Sequence, residues 1–148
     1  MSPTYVAFLI AAATVGFTVL LAVVIAHLSG WASLAERYRC LEPFPESSWK
    51  LQSGQFRWYL NYNNCLTVGA DPRGLFLWIF PLFRAAHPPL FIPWNEISIS
   101  RQKVLWVKQV RFCLGHELQI PFTIREGLAQ KLRSAAGSSW PVEVVPGG

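Results

Sequence analysis

The chain has 148 residues, of which 52% are hydrophobic and only 14% are charged, with a formal net charge of +5. Soluble chains carry roughly 25% charged residues, so part of this protein is not suited to water. The three cysteines, Cys40, Cys65 and Cys113, are widely spaced and odd in number. This excludes a fully paired secreted disulfide framework and favours free thiols in a reducing compartment.

The first element is an apolar helix. No Asp, Glu, Lys or Arg precedes Glu36, and all 13 Lys and Arg side chains lie between Arg37 and Arg133. Residues Val6–Leu28 span about 34 Å as a helix, enough for a hydrocarbon core of roughly 30 Å. A soluble core helix of this length needs a polar stripe, and none is present. We therefore predict an N-terminal transmembrane anchor over residues 1–28.

A cleavable signal peptide is the alternative for this segment. Such a peptide has a basic n-region, an apolar stretch of about 7–15 residues and a small-residue cleavage site. Here residues 1–5 (MSPTY) carry no basic side chain and the apolar stretch is longer. These differences favour an anchor that stays in the protein.

Basic residues near the ends of the span predict its orientation. Arg37, Arg39 and Lys50 follow the helix, whereas no basic side chain precedes it. The positive-inside rule therefore predicts an integral, single-pass membrane protein with a cytoplasmic C-terminal domain.

Two small-residue pairs, Ala12/Gly16 and Ala22/Ala26, have the spacing that lets two membrane helices pack closely. Packing of two such helices through these pairs would give a homo-oligomer, which stays an alternative. Ala and Gly are frequent in such helices, so chance also explains the spacing.

Residues 29–54 are predicted to be a juxtamembrane helix and linker. Trp31, Leu34 and Tyr38 recur on one stripe of a short helix. Either this stripe lies in the membrane interface, or it packs on the domain that follows. The prolines of residues 42–48 (EPFPESS) then end the helix and indicate a linker or an extended lead-in strand.

Residues 55–137 are predicted to form a small β-barrel or sandwich of about seven strands, capped by a C-terminal helix, so that the chain is mainly β. Turns are expected at Asn63–Asn64, at residues 71–74 and at Gly115–His116. In the last helix, Ile124, Leu128 and Leu132 share one face. Residues 138–148 are predicted to be a flexible tail. The predicted strands are Phe56–Tyr62, Cys65–Ala70, Leu75–Phe80, Leu90–Trp94 and three stretches at 98–103, 104–114 and 117–122.

Three segments resemble the pleckstrin-homology-like (PH-like) superfamily, particularly its GRAM-type and bacterial PH-like members. They are Leu66–Leu77, Leu90–Ser98 with its IPWNEI stretch, and His116–Leu132. The resemblance implies a seven-stranded bent barrel closed by a helix, often associated with membranes or proteins. It carries no catalytic residue and no single lipid-binding motif to transfer.

Catalytic and cofactor motifs are absent from the sequence. It has no GxSxG, Walker, GxGxxG or HExxH pattern, and no basic run typical of nucleic-acid binding. We predict no enzyme, no cofactor, no metal and no nucleic-acid partner. A membrane-anchored enzyme of another type would require His87, His116 or Cys113 to converge with an acid.

The excess of base over acid is the remaining signal. Arg101, Lys103, Arg37 and Arg39 are the candidate contacts for anionic lipid headgroups, and Arg101 and Lys103 share strand parity. A solvated outer face is the alternative interpretation. Other basic residues that could join the patch are Arg57, Arg73, Arg84, Lys108 and Arg111.

These features predict a non-enzymatic, membrane-anchored adaptor whose PH-like domain binds a protein or a lipid headgroup. An accessory subunit of a larger membrane complex is the alternative.

Overall fold

A computed structural model describes residues 2–40, 43–57, 60–79 and 87–144. Within these ranges three α-helices accompany eight strands in one sheet. The helices are α1 (Pro3–Ser29), α2 (Trp31–Tyr38) and α3 (Glu126–Ala136). The strands are β1 (Ser48–Phe56), β2 (Leu60–Asp71), β3 (Gly74–Ile79), β4 (Leu90–Pro93), β5 (Ile97–Val104), β6 (Val107–Leu114), β7 (Ile120–Arg125) and β8 (Glu143–Val144).

Helix α1 begins and ends with recognisable caps. The Ser2 side chain accepts a hydrogen bond from the Tyr5 backbone N–H, and Pro3 occupies the first turn, where its missing N–H is not needed. Gly30 ends the helix in the left-handed conformation, at φ +90°. By length and composition α1 is suited to cross a membrane, with a mean hydropathy of 2.7 over its most apolar stretch.

Helix α2 belongs to the core of the barrel. Trp31 and Leu34 are fully buried, and the indole N–H of Trp31 donates to the carbonyl of Pro88 at 2.9 Å. Of the two interpretations of the juxtamembrane stripe, the structure therefore supports packing on the domain.

The strands form a curled antiparallel sheet in the order β4-β3-β2-β1-β7-β6-β5, with β8 added in parallel beside β5. Pairing of β1 with β7, at Gln55↔Thr123 and Phe56↔Phe122, joins the first strand to the last one before α3. Helix α3 buries Leu128 and Leu132 against this sheet. The predicted fold class, a strand-rich chain with an apolar N-terminal helix and a C-terminal helix, is confirmed, and the arrangement is compatible with a PH-like fold.

The predicted first hairpin was wrong. Strand β1 begins at Ser48, inside the predicted linker, and β2 continues from Leu60 to Asp71 without a turn. Asn64 adopts a left-handed φ of +54° where the β1–β2 register shifts. The Asn pair therefore provides the backbone freedom of a bulge rather than of a turn.

The single strand predicted over residues 104–114 was also wrong, because it contains a turn. β5 ends at Val104, β6 begins at Val107, and Leu105 and Trp106 form the two-residue connection. Residues 104–107 (VLWV) are all apolar, so the hydrophobicity pattern does not change where the turn occurs.

The chain is predicted to be flexible from residue 138, but residues 138–144 pack on the sheet. Trp140 packs against Trp94 and Phe112, with ring centroids 5.3 and 5.8 Å away, and β8 then pairs with β5. Residues 145–148 lie outside the described residues.

Candidate functional site

Arg101, the first predicted lipid contact, is engaged in ion pairs within the domain. Its guanidinium donates to both carboxylate oxygens of Glu143, at 2.7 and 3.0 Å, and to Glu126 at 2.8 Å. These hydrogen bonds hold the pKa of Glu143 below its usual value. Arg101 therefore connects β5 to β8 and to the start of α3.

Arg37 lies in the last turn of α2, and Arg39 follows that helix directly. Arg37 forms an ion pair of 2.5 Å with Glu117, in the loop between β6 and β7. Arg39 is exposed beside Val23 and His27 of α1. Since the β6–β7 loop and the β5–β6 turn are at opposite ends of β6, the structure does not bring Arg37 together with Lys103.

Lys103 faces a second lysine. It lies directly opposite Lys108 in the β5–β6 ladder, and both side chains are exposed. Directly opposite residues have Cβ atoms about 4.5–5.5 Å apart, and like charges at that position are destabilising. Among the described residues neither lysine has an acidic partner.

Leu105 and Trp106 form the turn between these lysines. Their φ angles are +47° and +71°, and 80% and 86% of their surfaces are exposed. A two-residue turn with both φ angles positive normally uses Asn-Gly, because bulky side chains are strained in the left-handed region. We call residues Lys103–Lys108 the hairpin tip.

The hairpin below this tip is held on both faces. On one face Gln102 accepts a hydrogen bond of 2.6 Å from Arg111 and bonds Gln109 at 3.2 Å. On the other face Arg101 makes the ion pairs described above. The apolar apex therefore extends from an ordered two-stranded support.

Two other predicted basic residues, Arg73 and Arg57, do not form a patch with the tip. Arg73 binds Asp71 at 2.9 Å within its own turn, and its guanidinium lies 5.8 Å from the ring centroid of Phe76. Arg57 follows β1, at the opposite end of the strands from the tip. Arg84 lies outside the described residues.

A buried polar chain connects α1 to the barrel. The Tyr62 hydroxyl donates to the Ser29 hydroxyl at 3.0 Å and lies 2.9 Å from Nε2 of His87. All three residues are buried, and burial raises the pKa of Tyr62 to about 12. A neutral hydroxyl of this kind is suited to hydrogen bonding and not to nucleophilic attack.

Ala22 and Ala26 belong to the same junction. Both are buried, at 3% and 0% exposure, on the part of α1 that contacts β2. This small-residue pair therefore packs within the chain. The other pair is open, since a Cβ atom added at Gly16 would meet no atom of the described residues within 4 Å.

The sequence did not predict one exposed cluster formed by Leu105, Trp106 and Lys108. The signal was available as a Leu-Trp pair with a lysine two residues before Leu105 and another two residues after Trp106. It was missed because the pair lacks the Gly or Asn that marks a tight turn.

No family of proteins, no curated protein and no solved structure matches this chain. Its function is therefore inferred from the geometry of the described residues.

Proposed function

We propose that this protein is a membrane-anchored, non-enzymatic adaptor, in which α1 spans the bilayer and a PH-like barrel binds a protein or a lipid headgroup at the cytoplasmic face. The hairpin tip is the observation that carries the proposal. Leu105 and Trp106 are exposed apolar side chains on an ordered support, and two lysines without acidic partners among the described residues flank them. Such a surface is stabilised by a ligand that covers the apex and supplies negative charge.

Three contacts support α1 as a retained anchor rather than a removed signal. Ala22 and Ala26 are buried, and Ser29 accepts the hydrogen bond from Tyr62. Cleavage behind the apolar segment would remove these contacts and leave the Tyr62 hydroxyl without its Ser29 partner.

The connection between anchor and barrel is short. Gly30 alone separates α1 from α2, and a Cβ atom there would lie 2.6 Å from Cδ1 of Ile120. The barrel is therefore held directly at the end of α1, which supports a function at the membrane surface.

Site-specific photocrosslinking of the full chain in its native membranes tests the adaptor function. A photoreactive residue replaces Trp106 in one variant and Leu51 in the other. Leu51 is a matched control because it is 60% exposed, has a φ of +56° and follows Lys50. We expect crosslinks to protein or lipid at position 106 well above those at position 51. Equal yields at the two positions would contradict the proposed binding surface.

Thiol labelling tests the cytoplasmic orientation. A Leu105→Cys variant places an exposed thiol at the tip, and the unsubstituted chain reports the background from its native cysteines, of which Cys40 is buried. We expect a membrane-impermeant maleimide to label the variant only after cell lysis. Labelling in intact cells would place the barrel outside.

A further inference from the structure

The shape of the hairpin tip distinguishes a protein partner from a bilayer. Its apex is convex, with Leu105 and Trp106 beyond the last ladder pair Val104↔Val107. A protein partner for such an apex must offer a pocket of matching shape. A bilayer interface adapts to it, since Trp side chains favour the headgroup level and apolar groups enter about 5–10 Å into the acyl boundary.

The positive charge of the tip also favours a bilayer as the partner. Lys103 and Lys108 lie opposite each other at the base of the apex, on the same side of the hairpin. Lipid phosphates bound by these ammonium groups would relieve their mutual repulsion. Each cation near an anionic surface strengthens binding about fivefold.

Helix α1 holds the barrel close to the bilayer surface. Helix α1 has 27 residues, about 40 Å, against a hydrocarbon core of roughly 30 Å. Its last turn, which packs on the barrel through Ala26 and Ser29, therefore lies at headgroup level. Tethering keeps the membrane surface at a high effective concentration for the rest of the domain.

The tip reaches that surface in one orientation of the barrel. It lies at the opposite end of β6 from the loop that contacts α2, and Val107 to Leu114 measures about 23 Å along the strand at roughly 3.3 Å per residue. When β6 lies along the membrane, the anchor and the tip contact the same leaflet.

Resting on the proposed function, we infer that the hairpin tip is a second membrane contact that docks on an anionic bilayer. Leu105 and Trp106 enter the interface, and Lys103 and Lys108 bind lipid phosphates. The barrel is then held to the membrane at two points, by α1 and by the tip.

Fluorine NMR of the full chain in nanodiscs tests this inference. All tryptophans are replaced by fluorotryptophan, and Trp106→Phe assigns the signal of the tip. The discs contain doxyl-labelled lipid in either phosphatidylcholine or a mixture with phosphatidylserine. Trp94 and Trp140, which pack on each other in the barrel, are the internal reference.

We expect the doxyl lipid to broaden the Trp106 signal more than the Trp94 signal in the phosphatidylserine discs. Lys103→Gln with Lys108→Gln should lower the ratio of docked to undocked tip about 30-fold, and high salt should act in the same direction. The matched change Leu51→Asn should leave the broadening unchanged. Broadening of Trp106 that never exceeds that of Trp94 would overturn the inference.

Combination with the photocrosslinking experiment separates the two proposals. A tip that is not broadened in discs but crosslinks to a protein in native membranes overturns bilayer docking and leaves the adaptor function in place. A tip that is neither broadened nor crosslinked above the Leu51 control overturns both.

Discussion

Two tryptophans show how differently the ends of this domain are built. Trp31 is fully buried, its ring centroid lies 5.1–6.0 Å from those of Phe56, Tyr62 and His87, and its indole N–H has a carbonyl partner. Trp106 is 86% exposed and has no aromatic neighbour among the described residues. Where α2 packs on the sheet, aromatic surface stabilises the fold, whereas at the hairpin tip it is exposed to solvent.

Replacing the two tryptophans gives the largest expected contrast. Trp31→Ala removes a packed ring from the core and should lower the free energy of unfolding by about 3–5 kcal/mol. Trp106→Ala should change it by no more than about 0.5 kcal/mol, because its ring is exposed. Denaturant unfolding of the full chain in detergent, followed by circular dichroism, measures both values. Similar losses for the two variants would contradict the distinction between the two ends.

The second-largest change in stability is expected at the buried polar chain of Ser29, Tyr62 and His87. Tyr62→Phe removes the buried hydrogen bonds to Ser29 and His87 and should lower the free energy of unfolding by about 1–3 kcal/mol. The same unfolding experiment measures it. Tyr5→Phe, which removes an exposed hydroxyl on α1, is the control and should have no effect.

The pH dependence of the same variant sharpens the test. Because burial raises the pKa of Tyr62 from 10.0 to about 12, the folded protein keeps a proton that the unfolded chain releases. The stabilisation is therefore complete below pH 10 and is lost as the pH rises from 10 to 12. We expect a steeper loss of stability over this interval in the unsubstituted chain than in Tyr62→Phe. Identical slopes would show that this hydroxyl is not buried as described.

The turn at the tip should be improved by the residues that suit its backbone. Leu105→Asn with Trp106→Gly relieves two bulky side chains at positive φ, and we expect a gain of about 1–2 kcal/mol in the free energy of unfolding. The same variant should not dock on nanodiscs that contain phosphatidylserine. A more stable protein that docks as before would show that the strained Leu-Trp pair has no binding role.

The smallest and most specific contrast is expected between Arg101 and Lys103, which lie on the same face of β5. Arg101→Gln removes the ion pairs to Glu126 and Glu143 and should lower the free energy of unfolding by about 1 kcal/mol or less. Lys103→Gln removes a like-charge contact, so stability should be unchanged or slightly raised while docking weakens. Equal effects of both changes on docking would restore the original prediction that the two residues act together.

Local patterns in the sequence predicted much of the fold correctly. The Asp71-Pro-Arg-Gly74 segment forms the β2–β3 turn, and Leu128 and Leu132 form the buried face of α3. Ile124, predicted on the same helix face, lies in β7 instead. Such features depend on neighbours within a few residues, where backbone preference and periodicity are informative. The Leu105–Trp106 turn was missed because its residues contradict the local preference for that backbone.

The candidate site was only partly predictable for a related reason. The charge of Lys103 predicted a contact with lipid; the structure shows this residue exposed and opposite Lys108, and the contact itself stays a prediction. The charges of Arg37 and Arg101 predicted the same role, but each forms an ion pair with an acid far along the chain, Glu117 and Glu143 respectively. A formal charge in the sequence does not show whether it is already neutralised.

The sequence by itself determined the apolar helix, the order of short strands and the closing helix, because each follows from hydrophobicity and periodicity over a short window. Only the tertiary structure decided that α2 enters the core, that Ser29 joins Tyr62 and His87, and that two lysines face each other below an exposed Leu-Trp apex. The two lysines meet across a turn whose residues contradict the local backbone preference. The other pairs are distant in sequence, by 33 residues for Ser29 and Tyr62 and by 57 for Trp31 and Pro88. Contacts over such separations depend on how the sheet curls, and no local pattern specifies that.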